Sequence, residues 1–210
     1  PRCGSTLIES IISLNSKVRD LGEVNILEKS YREYKQSEKQ INLSEIYWKK
    51  LEISDNKTTT TNKWLFNYQY AGIIAKAIPN AKIIHCYRNP LDNILSTYRA
   101  HFATGNNFSS SLVDSAEVYS DQDEIMRTYK KEFKNHIYSL NYDKLVTHPS
   151  DEIKSLIHWL GWSWNDLYLS PHLNKRKVST RSNVQVRSPI NTKSLGLSLI
   201  HISEPTRPTP

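Results

Sequence analysis

Two cysteines, Cys3 and Cys86, are all that 210 residues contain, which excludes a disulfide framework and a four-thiolate zinc site. No apolar run approaches the roughly 20 residues that a bilayer crossing requires, and mean hydropathy is −0.59. Internal repeats and heptads are missing, so solenoids and coiled coils are excluded. The phosphate-binding signature G-x-x-x-x-G-K-[ST] is also absent, and the seven His and two Cys form no convincing metal-ligand cluster. No secretory signal is visible, although a chain opening on Pro1 makes that uninformative.

What the chain does have is aromatic mass and positive charge. Five Trp, twelve Tyr and four Phe exclude a disordered tail, because such segments are poor in aromatics. Lys and Arg number 28 against 21 Asp and Glu, a net charge of +7. That balance favours anionic partners such as nucleic acid, acidic peptide, anionic lipid or a phosphorylated cofactor. The basic residues are nonetheless interleaved with acids, and the densest run is only Lys175-Arg176-Lys177. A nucleic-acid stripe is longer, so a small anionic ligand competes on at least equal terms, and the trio reads as a solvated face, with steering of an acidic substrate as the alternative.

Local patterning predicts alternating strands and helices. A helix begins after Gly4-Ser5-Thr6, since Leu7, Ile8, Ile11 and Ile12 repeat at helical spacing. Residues 25 to 52 read as one or two surface helices, and 55 to 62 as a Thr-rich loop. Tyr68 to Ala77 reads as a helix stopped by Pro79-Asn80. Ala81 to Tyr87 and His136 to Tyr142 are buried-strand candidates. Helices are expected over 91–102, about 115–135, and from Pro149 to Gly161, where Asp151 and Glu152 favour the start. Strands alternating with helices imply an α/β domain with a parallel sheet. Trp159, Trp162 and Trp164 read as core or rim packing, and Cys86 as inert packing.

Two constellations carry chemistry. Pro1-Arg2-Cys3-Gly4-Ser5-Thr6 leads into a helix, whose free N–H groups and positive dipole end suit a phosphate or sulfate. An ordinary capped helix start is the competing reading. Arg88 follows a parallel strand, where α/β sheets bind ligands. Ser96, two turns into the next helix, would flank the same anion.

Taken together, these segments resemble the sulfotransferase family, which moves a sulfuryl group from 3′-phosphoadenylyl sulfate. The resemblance is closest to the protein-tyrosine-sulfotransferase-like branch, which includes bacterial members with upstream tetratricopeptide repeats, and runs from Pro1 to about Gly196. It implies a P-loop-like three-layer sandwich around a mainly parallel sheet, truncated at its N-terminal strand. Arg2, Cys3, Gly4, Ser5, Thr6 and Leu7 resemble the loop for the 5′-phosphosulfate. Arg88-Asn89-Pro90-Leu91-Asp92 with Ser96 resembles the 3′-phosphate element. Gly22-Glu23 is similar to the family's Gly-Glu, which implies that Glu23 is the base. Thr61-Asn62-Lys63 is similar to its Thr-Asp-Lys, with Asn62 in place of Asp. Ser182 to Asn191, with Gln185, Val186 and Arg187, resembles the segment that closes over the nucleotide, and Tyr142 a residue beside it.

By this resemblance Lys63, Arg2 and Ser182 steady the leaving phosphate oxygen, and no metal is required. The implied partners are the nucleotide cosubstrate and a hydroxyl acceptor, a peptide (through tyrosine) or a small molecule. A second copy of the chain is also a candidate partner; membrane and nucleic acid are not expected, and the location is read as cytoplasmic. Ala100, beside Arg99, stands where tyrosine-specific members carry Arg. The alternatives are a P-loop-like small-molecule kinase and a non-catalytic anion- or nucleic-acid-binding module. Residues 1–196 are read as the domain, incomplete at both ends. Residues 197–210 leave the family pattern and resemble a translated transposase adapter from sequencing-library preparation. They are expected to be a non-native or disordered tail that packs on nothing specific.

Overall fold

The computed structural model describes residues 1–37, 41–52, 59–100, 102, 105–176 and 185–202, with backbone alone at 185 and 200–202. Helix α1 (Ser5–Ile12) leads to strand β1 (Val18–Asp20), helices α2 (Ile26–Gln36) and α3 (Leu43–Leu51), and strand β2 (Thr59–Thr61). Helix α4 (Ala71–Ala77), strand β3 (Ile83–Tyr87), helix α5 (Pro90–Tyr98) and the long helix α6 (Leu112–Glu132) follow. Strand β4 (Ile137–Asn141) and helices α7 (Tyr142–Thr147), α8 (Pro149–Leu160) and α9 (Leu197–Ile202) complete the order. The architecture is α/β, as the alternation implies.

All strand pairing is parallel. β1 pairs with β2 (Val18 opposite Thr59) and β3 with β4 (Cys86 opposite Leu140), as two separate two-stranded sheets among the described residues. Helices pack on both faces of the β3–β4 pair, although Ser139 of β4 is exposed. On one face Cys86 and Leu140 pack with Ile8, Ile11 and Ile12 of α1 and Ile153, Leu156 and Ile157 of α8. On the other, Ile137 packs with Ala71 of α4 and Met126 of α6. Each fully buried Leu or Ile there contributes about 1.5–3 kcal/mol, and three layers result.

Helix starts follow local chemistry. Asn89 Oδ1 accepts from the Leu91 and Asp92 N–H groups, and Pro90 opens α5, where a missing N–H is harmless. Ser111 caps α6 through the Asp114 N–H, so that helix starts three residues before the expected position. Gly161 ends α8 in the left-handed region, as its sequence predicts.

Three expectations are corrected. The Thr-rich stretch contributes a strand, β2, and β1 was not foreseen. Arg176 is buried in ion pairs rather than on a solvated face, as described below. The 197–210 segment was expected to pack on nothing specific; 203–210 lie outside the described residues, but over 197–202 α9 lies against α5. There the Ser198 N–H and hydroxyl both donate to Asp92 Oδ1, at 2.8 and 2.6 Å. Among the described residues no helix is long and apolar enough to cross a membrane, and no cluster suits a metal ion.

Candidate active site

A cleft of about 1840 Å³ opens where α1, β2, β3 and α5 converge, and Arg2 through Leu7, Glu23, Lys63, Arg88, Ser96, Tyr142 and Val186 all line it. The loop before α1 is backbone under constraint. Arg2 has φ 58° and Gly4 φ 88°, the left-handed region that disfavours side chains. At Gly4 there is no room for one either: a Cβ would fall 2.4 Å from Tyr142 Cδ2. The Tyr142 ring therefore lies flush on the loop, fixed at its far end by a 2.7 Å bond between its hydroxyl and Ser194 Oγ. No side chain caps α1 and no acid stands in its first turn, which leaves the dipole's positive end uncompensated.

Arg2 and Arg88 bring two guanidiniums to this end. Arg2 Nε donates to Ser96 Oγ at 3.0 Å, so the loop and the α5 element meet directly. Burial, and after it the like charge of Arg88, lowers the Arg2 pKa. Arg88 is only 5% exposed. It donates to the Arg2 carbonyl at 3.5 Å and to the Ser194 carbonyl, and lies over the Tyr142 ring. Asp92 stands 3.5 Å away and Asp143 3.9 Å. Its Nε is buried without a hydrogen-bond partner.

Glu23 and Lys63, also on the cleft, lie 40 residues apart in sequence and 2.9 Å apart in space. The backbone makes this meeting. The β1–β2 ladder continues through Leu21 N to Thr61 O (3.0 Å) and Lys63 N to Gly22 O (2.9 Å). Asn62, in place of the family's Asp, does not hold Lys63. Its Oδ1 accepts from Trp64 N and Asn67 Nδ2, and its Nδ2 donates to the Tyr47 hydroxyl. His85 of β3 also reaches the cleft wall. Burial, with Lys130 adding to it, pushes it down to about 4, so the ring is neutral near pH 7.

Residues 1–166 match the sulfotransferase family. The chain belongs to that family. It is 29% identical over 219 residues to an uncharacterized protein of Aquifex aeolicus (strain VF5), the match taking in 93% of this chain and 29% of that protein. The chain thus spans less than a third of that relative's length. Among solved structures it is similar to the sulfotransferase domain from the curacin biosynthetic pathway. That likeness has a TM-score of 0.65 at 14% identity, covering 100% of this chain and 90% of that one. The sulfotransferase domain from the Synechococcus PCC 7002 olefin synthase gives 0.59 at 15% identity, over 97% and 90%. Both likenesses bear on the fold.

Within this sulfotransferase chain the late segment divides. Val186 is buried on the cleft, whereas Arg187 donates to the Asn174 and Arg176 carbonyls, at 2.6 and 2.5 Å, and is not among the lining residues. Ser182 and the Gln185 side chain lie outside the described residues. Arg176, in the trio read as solvated, has a side chain 9% exposed and pairs with Glu9 at 3.0 Å and Asp20 at 2.5 Å. Glu9 itself escaped the sequence reading. It sits on the apolar-looking α1 at 3% exposure, and a charged residue so placed is almost always paired. The only signal was one acid inside an otherwise apolar helix.

Proposed function

We propose that this chain transfers a sulfuryl group from 3′-phosphoadenylyl sulfate to an acceptor hydroxyl, with a peptide tyrosine as the candidate acceptor. The observation that carries the reading is the arrangement of one cleft: a glycine-bearing loop at an uncapped helix start, two guanidiniums beside it, and a Glu23–Lys63 pair 2.9 Å apart. The fit to a nucleotide with phosphates at both ends is supported by that loop, which Gly4 alone can make. It is supported too by the lowered pKa of Arg2, caused by burial and then by the like charge of Arg88, which a bound anion would offset.

In this reading the Arg2–Leu7 loop holds the phosphosulfate, and Arg88 with Ser96 the 3′-phosphate, Tyr142 and Val186 flanking the nucleotide. The donor, when bound, supplies the sulfuryl group: a sulfur–oxygen bond forms to the acceptor as the one to the phosphate breaks, leaving the electron pair on the phosphate oxygen. Glu23 takes the acceptor's proton, which matters for a tyrosine hydroxyl of pKa about 10. Lys63 and Arg2 place fixed positive charge where negative charge develops, the main source of catalysis in such transfers.

Titration calorimetry with adenosine 3′,5′-bisphosphate tests the reading, with saturable binding that needs no Mg²⁺ as the expected result. Binding of ATP only with Mg²⁺ would replace it by the kinase reading. Glu23→Gln should lower transfer to a tyrosine peptide about 10²–10⁴-fold and leave nucleotide affinity intact. Unchanged turnover removes Glu23 from the mechanism.

A further inference from the structure

Lys63 has a second acidic neighbour. Its ammonium lies 2.9 Å from Glu23 Oε1 and 3.8 Å from Glu9 Oε2. The two carboxylates differ in kind. Glu23 has a side chain 45% exposed, and Glu9 one 3% exposed. Glu9 is also held on every side that the structure describes. Its Oε1 accepts from Thr61 Oγ1 at 2.8 Å and from the Gly22 N–H at 3.2 Å. Its Oε2 accepts from Arg176 at 3.0 Å, and Arg176 is tied in turn to Asp20 of β1. Glu9 therefore grips the residue before Glu23, the residue two before Lys63, and the Lys63 ammonium together.

We propose that Glu9 is a positioning residue that retains Lys63 on the cleft when Glu23 takes up the acceptor's proton, with Arg176 holding Glu9 in place. The proposal rests on the sulfuryl-transfer reading. As the hydroxyl proton moves onto Glu23, that carboxylate becomes neutral and its attraction for the ammonium falls. Among the described carboxylates, Glu9 is then the remaining anion within 4 Å of Lys63. An exposed lysine losing its partner swings into water, since its stem is flexible; one facing a fixed buried carboxylate does not. Arg176 has a further effect. By sharing Glu9 Oε2 it weakens the hold on Lys63, so the ammonium is kept in place without being fully neutralised and still presents charge to the leaving oxygen. A buried carboxylate with only one cation would form a tighter, more self-contained pair.

The test reads Lys63 directly and needs neither nucleotide nor acceptor. The chain and its variants are treated with a limiting dose of an amine-acetylating reagent, and labelling at each lysine is measured by peptide mass spectrometry. Glu23→Gln, which imitates the protonated base, should leave the Lys63 rate within about twofold of the parent. Glu9→Gln combined with Glu23→Gln should raise it about tenfold, as expected when a partly buried ion pair is lost. Lys82 is the internal control, since its ammonium is bound to the Trp159 carbonyl far along the chain. Glu23→Gln alone matching the double variant overturns the proposal, and so does a rise at Lys82 in step with Lys63. Thr61→Val combined with Glu23→Gln removes one anchor from Glu9 and spares its charge, so it guards against a double variant that fails to fold. It should give a smaller rise confined to Lys63, and no rise overturns the proposal. If labelling follows this order in a chain that binds no adenosine 3′,5′-bisphosphate, the sulfuryl-transfer reading fails and the retention of Lys63 stands. If the nucleotide binds and labelling does not follow, only the retention fails.

Discussion

Two groups of residues at the cleft satisfy their cations differently. Around Glu23, Lys63 and Arg176 each face two carboxylates, in a web of four ion pairs. At the loop, Arg2 and Arg88 donate their hydrogen bonds to neutral oxygens, the Ser96 hydroxyl and the Arg2 and Ser194 carbonyls, and Arg88 also pairs with Asp92 at 3.5 Å and Asp143 at 3.9 Å. A neutral oxygen satisfies a guanidinium's geometry without cancelling its charge. The first group thus ties its cations mainly to carboxylates, and the second hydrogen-bonds its cations to neutral oxygens. Rigidity is supplied differently as well, by paired charges in one group and by strained backbone against a ring in the other.

Breaking one group should therefore look unlike breaking the other. Arg176→Met leaves Glu9 and Asp20 short of their shared cation in a buried place, and unfolding free energy from urea melts should drop by about 3–5 kcal/mol. A drop below 1 kcal/mol would show that the web contributes little. Gly4→Ala strikes the loop through geometry. A positive φ and a contact on Tyr142 cost about 1–3 kcal/mol, read as a roughly tenfold or larger loss of nucleotide affinity in calorimetry with a smaller change in stability. Tyr142→Phe removes only the hydroxyl bond to Ser194 and keeps the ring on the loop, so stability should fall by about 0.5–1.5 kcal/mol while nucleotide affinity holds.

The mildest probe is acid. Burial alone would raise the Asp92 pKa, but bonds from Ser198 and Gly196 and the charge of Arg88 outweigh it and hold the carboxyl below its ordinary value. A folded pKa below the unfolded one adds stability that is present above the ordinary carboxylate range, near 3.9, and is lost as pH falls through the depressed value. Asp92→Asn should accordingly be less stable than the parent at pH 7, with the gap narrowing in urea melts toward pH 3. A constant gap would mean that the Asp92 charge is not what stabilises α5 against α9.

How much of this the sequence disclosed follows from the range of each interaction. β3 and β4 were legible because buried parallel strands must be apolar on both faces, and Ile83 to Tyr87 is such a run. β1 and β2 were not, because Val18-Arg19-Asp20 and Thr59-Thr60-Thr61 are too short to show a period and owe their strand form to each other. Arg2, Glu23 and Lys63 were found by resemblance to motifs at a given spacing, and the structure places all three on one cleft. Glu9 and Arg176 lie 167 residues apart, so nothing local links them. Each alone reads as an ordinary charged residue.

The backbone bond from Lys63 N to Gly22 O closes a long excursion through α2 and α3 at its base. Because the β1–β2 register and this one bond set where Glu23 and Lys63 meet, the number of residues between them is decoupled from the distance between them. The excursion is itself anchored, because Leu27 of α2 and Tyr47 and Leu51 of α3 pack with Ile78 in a buried cluster. It also carries Tyr47 and Trp48 to the cleft wall. The geometry of the Glu23–Lys63 pair is thereby set by strand register and not by the length of the intervening chain.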